Sequence, residues 1–533
     1  MNLASTTFTN RNTLWTELQG GGQNWDLVIV GGGIIGAGIL REAARRDLKA
    51  LLLEQRDFAS GTSSRSSKMV HGGLRYMAKG DIKLTKNSLR ERERLLREAP
   101  GLIERLGYYF PLRKGQFPGR ILFSILLTAY DSLAGIRNHR YFNKTAVENH
   151  YSGINSKGLK GAVYYTDTVT DDARLVLRVL QDAIIAGGRA ANYMKADSLI
   201  KKGGRVAGVV FSDVESGEQL EIESKSVINA TGAWADRLRN EVNPEKRILP
   251  LRGSHLVLPM NKLPVEDALT LLHPVDRRPV YIYPWEGATV VGTTDLDHCE
   301  DLDKEPGISE EELNYLLGVV NTQFPNHNIT REDIISSYAG IRPVICSDQS
   351  RDPSRERRDH AVWSDKGLVT VSGGKLTTFR LIALDAINAA ADTLGKMEVK
   401  DSSDAIFHKP GITARDINTS DKKWAQRLIG RYGDHAKTLL DGANESERQK
   451  IGATEFCLAE CRWAARNESV LHLDDLLLRR TRLGSLLKNG GESLFPELEK
   501  ICAEELQWDA GRWQTELARY QEMWRRHYYL PEA

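Results

Sequence analysis

The chain has 533 residues, which at about 150 residues per domain allows three or four domains and excludes a lone interaction motif. Its 73 lysines and arginines against 71 aspartates and glutamates leave a formal charge of +2, so no global field draws in nucleic acid and any anion site must be local. With 41% hydrophobic and 27% charged residues the composition is that of an ordinary globular protein, and five cysteines are too few for a disulfide framework.

Residues 1–24 are polar, with glycines at 20, 21 and 22, and read as a flexible lead-in with order beginning near Trp25. They lack the apolar run of a secretory signal, and no stretch of the chain reaches the roughly 18 apolar residues of a spanning helix, so a cytoplasmic protein is expected. Asp26-Leu27-Val28-Ile29-Val30 suits a parallel strand buried on both faces. GGGIIGAG follows, helical spacing continues to about Arg46, and LKALLLE (48–54) returns to strand character. This is the strand-helix-strand opening of a dinucleotide-binding fold. ILFSILLTAY (121–130) is a short apolar stretch preceded by Arg113, Lys114 and Arg120 and followed by Arg137 and Arg140; interfacial binding to a membrane and a buried core helix are both open readings. Residues 171–188 read as an amphipathic helix ended by glycines. A hairpin is expected around Ser216-Gly217, and 227–230 as another buried strand. HLVLP, PVYIYPW and TVVGTTD, between 255 and 295, read as a second, largely antiparallel sheet, the expected substrate domain, to which 76–150 contributes. From about 405 helical periodicity takes over, predicting a separate all-α domain. Cys457 and Cys461 lie at i,i+4 without the other ligands of a zinc site, so no metal is expected and all five cysteines read as reduced thiols.

In GGGIIGAG, Gly31, Gly33 and Gly36 satisfy GxGxxG: the first permits a tight turn, the second the approach of a pyrophosphate, the third helix-on-strand packing. Glu54 ends the second strand, placed to accept from a ribose. FAD and NAD share this fingerprint. GTSSRSSKMVHGGLRY (61–76) favours a flavin: Thr62, Ser63, Ser64 and Ser67 offer hydroxyls to phosphate or ring, and Gly72-Gly73 lets backbone pass a flat aromatic. A serine-rich surface turn and a core histidine at His71 are the bland alternatives. In SGGKLTTFR, Gly373-Gly374 forms a second strand-to-helix turn, with Lys375 and Thr377 beyond it. No HExxH, GxSxG or P-loop is present, which removes support for hydrolase and kinase readings.

Taken together, GGGIIGAG, SSRSSKMVHGGLRY, DDARLVL, NATGAW, GTTD, YAGIRPV and SGGKLTTFR resemble the FAD-dependent (aerobic, respiratory) glycerol-3-phosphate dehydrogenase family from about residue 25 onward. The resemblance implies an α/β fold: a Rossmann-like FAD-binding domain of the D-amino-acid-oxidase type, an antiparallel-sheet substrate domain and an all-α C-terminal domain. FAD-binding segments are expected at 25–80, 151–235 and 336–400, a substrate or membrane-facing segment at 81–150, the substrate sheet at 236–335 and the helical domain at 405–533. It implies oxidation of sn-glycerol 3-phosphate to dihydroxyacetone phosphate, with hydride passing from C2 to FAD N5 and electrons to membrane quinone, on the inner face of the cell membrane. Arg75 and Arg342 match the family positions that clamp phosphate, Tyr76 adds a hydroxyl, and Lys375 and Thr377 sit between flavin and substrate. His71 is the first choice for the base that takes the hydroxyl proton and Lys375 the second. Gly232 and Gly374 are expected cofactor contacts. An oxidase using oxygen, a non-catalytic flavin-binding redox sensor and an NAD enzyme are the alternatives, and a homodimer is left open.

Overall fold

Two mixed sheets organise this computed structural model, which describes residues 8, 11–78, 80–346, 360–395 and 404–532. The first sheet has eight strands. Trp25–Val30 lies at its centre, parallel to Ala50–Leu53 on one side and to Gln219–Asn229 on the other. Leu368–Gly373 extends it in parallel, and Arg189–Ala191 closes the other side. The apolar runs WDLVIV and ALLL form central strands because helices cover both faces. Helix Ile34–Ala44 packs against Asp172–Ile185 and Phe379–Ala389; a methyl at Gly38 would come within 2.9 Å of the Phe379 ring, so glycine allows the close crossing. The chain leaves Trp25–Val30 towards opposite neighbours, and the crevice beyond the strand ends is where such sheets bind ligands.

The second sheet has nine strands. Ile248–Pro259, Pro279–Trp285 and Ala288–Gly292 pair antiparallel, as expected for this sheet, and Ile103–Arg113 and Arg140–Asn143 contribute from the 76–150 region. Two boundaries move. Leu159–Thr170 pairs with Ile103–Arg113, and Ser336–Ile345 runs antiparallel along Ile248–Pro259 from Ile248↔Ile345 to Val257↔Ser336. Both therefore belong to this sheet, not to the FAD-binding segments 151–235 and 336–400. Both are buried along nearly their whole length, so their sequence carries no alternation to tell the two sheets apart. Positions 347–359 and 396–400 of that third segment lie outside the described residues.

The lead-in is also corrected. Residues 1–7, 9 and 10 lie outside the described residues, but Arg11–Gln19 is a helix that buries Leu14, Trp15 and Leu18. Trp15 meets Phe211 edge-on at 5.9 Å and its indole donates to Glu218 at 3.2 Å, while Arg11 pairs with Asp213. Order thus precedes Trp25. The C-terminal part is all helical, and it is not separate: Leu473, Leu477, Tyr520 and Trp524 share one apolar core with Tyr108, Val257 and Tyr283 of the second sheet.

Helix Arg120–Ala134 divides the apolar stretch between two faces. Phe123, Leu127 and Tyr130 are buried, while Ile121, Leu122 and Ile125, with Phe117 just before, face outward. Among the described residues no helix is long and apolar enough to cross a membrane.

Candidate active site

A cavity of about 840 Å³ opens where the two sheets meet. At one end Gly31 turns with φ +112°, and a methyl there would come within 2.6 Å of the Ala230 carbonyl. Gly33 lines the cavity at the N-terminus of helix Ile34–Ala44, where backbone N–H groups and the helix dipole favour phosphate. Gly36 lies off the wall; a methyl there would sit 1.8 Å from the Gly31 carbonyl, so its job is helix-on-strand packing. Glu54 accepts from the Gly32 and Arg56 N–H groups at 2.6 and 2.8 Å, and burial pushes its carboxyl above the usual range. Gly232 has φ +61° with open space where a side chain would be, so backbone faces the cavity there.

The hydroxyl-rich loop divides. Ser63 Oγ accepts from Ile34 N–H at 3.0 Å, which leaves its own proton for a phosphate oxygen. Thr62 donates to the Ile341 carbonyl and Ser67 Oγ lies 2.9 Å from His255 Nε2; both residues line the cavity. Ser64 does not: it is buried, its hydroxyl lies 3.5 Å from the Gly61 carbonyl, and its own carbonyl accepts from Lys68 and Arg482. Ser64 is a structural residue of the loop, because the short 3₁₀ turn Thr62–Ser64 rotates its side chain away from the wall.

At the other end His71, Arg75, Tyr76, Arg342, Gly374, Lys375 and Thr377 line the same cavity. Thr377 Oγ1 accepts from His71 N–H at 3.0 Å and donates to the His71 carbonyl at 3.2 Å, tying the two glycine-flanked segments together. Lys375 Nζ stands 3.8 Å from the Tyr76 ring centre and donates to Ser88 at 3.1 Å. Gly73, at φ +82°, makes this stack possible: a methyl would come within 2.2 Å of the Tyr76 ring and 3.1 Å of Lys375 Nζ. Arg342 donates to Asp295 at 2.6 Å, to Thr293 Oγ1 at 3.1 Å and to the Thr294 carbonyl at 3.3 Å. Gly253 leaves room for that guanidinium, which would lie 2.3 Å from a methyl. The walls thus join a helix N-terminus suited to phosphate to a pocket lined by arginine and lysine side chains, a donor set that fits an extended dinucleotide.

Residues 26–382 match the family of FAD dependent oxidoreductases, and 394–513 match the C-terminal domain of alpha-glycerophosphate oxidase. An aerobic glycerol-3-phosphate dehydrogenase of Staphylococcus haemolyticus is 34% identical over 500 residues, 89% of each chain. One of Bacillus subtilis is 33% identical over 514 residues, 91% of this chain and 92% of that one. The chain belongs to the FAD-dependent glycerol-3-phosphate dehydrogenase family. Among solved structures, the glycerol-3-phosphate dehydrogenase of Bacillus halodurans complexed with FAD superposes with a TM-score of 0.77 at 28% identity, covering 97% of this chain and 98% of that one. The FAD-bound L-alpha-glycerophosphate oxidase of Mycoplasma pneumoniae shares the fold, with a TM-score of 0.58 at 17% identity over 72% and 98% of the two chains. The cofactor of this dehydrogenase-family chain is FAD.

Sequence reading missed His255 and Asp295. His255 is buried, stacked on Tyr338 at 4.6 Å, and its Nδ1 has no hydrogen-bond partner. Burial, then the nearby Lys68 and Arg342, push its imidazole well below the usual range, so it stands neutral on the cavity wall. A lone histidine in an apolar strand reads as core; only its register opposite Gly292, where a methyl would come within 2.1 Å of its ring, shows that the backbone makes room for it. Asp295 closes GTTD, and its partner Arg342 is 47 residues away in sequence.

Proposed function

We propose that this protein oxidises sn-glycerol 3-phosphate to dihydroxyacetone phosphate and passes the electrons to a membrane quinone. The observation that carries the reading is that Arg75, Arg342, Lys375 and His71 line one cavity with Gly31, Gly33 and Glu54 of the dinucleotide fingerprint. Bound FAD supplies the acceptor for the two electrons that leave C2 as hydride. Arg342 and Arg75 hold the phosphate dianion, guanidinium forks being suited to two oxygens at once. Tyr76 donates to the substrate oxygens, while Thr377, its one proton given to the His71 carbonyl, holds the His71 segment in place. Lys375, whose contacts with Tyr76 and Ser88 suit an ammonium, orients the C2 hydroxyl and balances negative charge. His71 accepts the hydroxyl proton as the ketone forms. Neutral His255 shares a hydrogen bond with Ser67 on the same wall and keeps that side chain in place.

The outward Ile121, Leu122 and Ile125, with Phe117 and the exposed Lys114 and Arg120, support docking on the anionic inner face of the membrane, where quinone resides. An oxidase would hand the electrons to oxygen instead, and a redox sensor has no need of two phosphate-clamping arginines. The experiment is turnover of glycerol 3-phosphate by the FAD-loaded protein with vesicles containing a quinone analogue, with peroxide measured in parallel. Quinone reduction without stoichiometric peroxide is expected. Peroxide equal to substrate consumed identifies an oxidase, and no turnover with either acceptor refutes the reading.

A further inference from the structure

The C-terminal domain touches the cofactor loop through three arginines, none of which lines the cavity. They lie in the run Arg479-Arg480-Thr481-Arg482. The turn Leu476–Arg480 is a wide π turn, in which Thr481 N–H reaches back to the Leu476 carbonyl at 2.9 Å. Such turns are rare and collect at functional sites; here the extra residue directs both Arg479 and Arg480 inward. Arg480 holds Asp57 with two parallel bonds of 2.6 and 2.7 Å, and Arg479 reaches the same carboxylate. Arg482 donates to Asp171 at 2.9 and 3.0 Å, to Asp172, and to the Ser64 carbonyl at 3.2 Å. Asp172 in turn accepts from Ser66 N–H at 2.9 Å, from Ser66 Oγ at 2.7 Å and from Lys68 Nζ at 3.0 Å.

Asp57 and Ser64 are two points on a single loop, 54–69, whose Glu54, Thr62, Ser63 and Ser67 line the cavity. Asp57 and Arg480 are fully buried and the Arg482 side chain is 4% exposed. Buried ion pairs add little net stability compared with apolar packing of the same volume; what they impose is geometry. We propose that the Arg479–Arg482 turn is a cofactor-retention brace: gripping the loop at Asp57 and at Ser64, it fixes the wall against which FAD binds. On this account the helical domain acts on the flavin site through the loop, as a set of positioning residues.

The test uses Arg482→Lys and Arg480→Lys, which keep the charge and lose the fork. Apo protein is titrated with FAD, and thermal midpoints are measured with and without it. The FAD dissociation constant is expected to rise about three- to thirtyfold, the range for residues that act on a site without touching its ligand. The rise in midpoint on adding FAD should shrink accordingly, while kcat at saturating FAD stays near that of the parent. A role in stability alone would lower apo and holo midpoints equally and leave the dissociation constant unchanged, which overturns the proposal. Should the variants not fold, hydrogen exchange on the parent decides: removing FAD should raise exchange in 54–69 and 476–482 together, and unchanged exchange in 476–482 overturns it.

Discussion

Replacing Arg342 by alanine removes the guanidinium proposed to fork onto the substrate phosphate. Each charge-assisted bond contributes about 1.5–3 kcal/mol, so two contribute about 3–6 kcal/mol. The side chain is 26% exposed, and water entering the vacated space offsets part of this, leaving a loss of about 2–4 kcal/mol. That corresponds to a fall in kcat/KM of about 30- to 900-fold. The substitution also removes the cation 2.6 Å from Asp295, and that carboxylate, 10% exposed, then faces the incoming dianion. Arg342→Ala/Asp295→Asn should therefore recover about tenfold over the single variant, because a repulsion is removed along with the attraction. The assay is steady-state kinetics with glycerol 3-phosphate and a quinone analogue, with flavin absorbance establishing equal cofactor content. Unchanged kcat/KM for Arg342→Ala, or a double variant no better than the single one, would refute this reasoning.

His71→Asn should slow flavin reduction in a single turnover by about a hundredfold or more while changing substrate affinity much less; fast reduction would move the base elsewhere. Gly73→Ala places a methyl 2.2 Å from the Tyr76 ring at φ +82°, so substrate titrations should show KM raised by about tenfold or more, and an unaltered KM would count against the Tyr76–Lys375 stack. Ile121→Glu/Ile125→Glu should reduce co-sedimentation with anionic vesicles by about tenfold or more and leave anaerobic flavin reduction unchanged. His472 joins Glu516 at 2.9 Å and Glu215 at 3.1 Å; burial alone would push its imidazole down, but Glu516 and Asp475 outweigh it and the net shift is upward. Its stabilising contribution is thus fully present below pH 6.5 and fades as pH rises through the raised folded value. His472→Gln should lower the thermal midpoint by about 1–3 °C at pH 6 and by less at pH 9.

The glycine turn and the strand-helix-strand opening were legible in the sequence because each residue's task is local: a tight turn and a helix-on-strand contact. The three antiparallel strands expected between 255 and 295 were legible for the same reason, their turns and apolar runs lying close together in the chain; Ala268–Leu272, which pairs in parallel with Ile103–Arg113, was not. Pairings between distant segments left no local trace. Leu159–Thr170 and Ser336–Ile345 are buried almost throughout and could have entered either sheet. Ser64 looked like its hydroxyl neighbours, and only the turn's rotation distinguishes it. Leu14, Trp15 and Leu18 are three apolar residues in a polar stretch, too few to announce a helix until Phe211 and Glu218 are beside them. Nothing in the sequence singles out Arg480 and Arg482; their burial follows from Asp57 and Asp171, more than 300 residues earlier.

The central claim is that a cationic pocket presents a phosphorylated three-carbon alcohol to FAD. Anaerobic rapid mixing of the FAD-loaded protein with glycerol 3-phosphate, followed at the oxidised flavin band, tests it most directly. Full and prompt loss of that band is predicted, with one dihydroxyacetone phosphate formed per flavin. A band that persists at saturating substrate, in protein carrying a full complement of FAD, would contradict the claim.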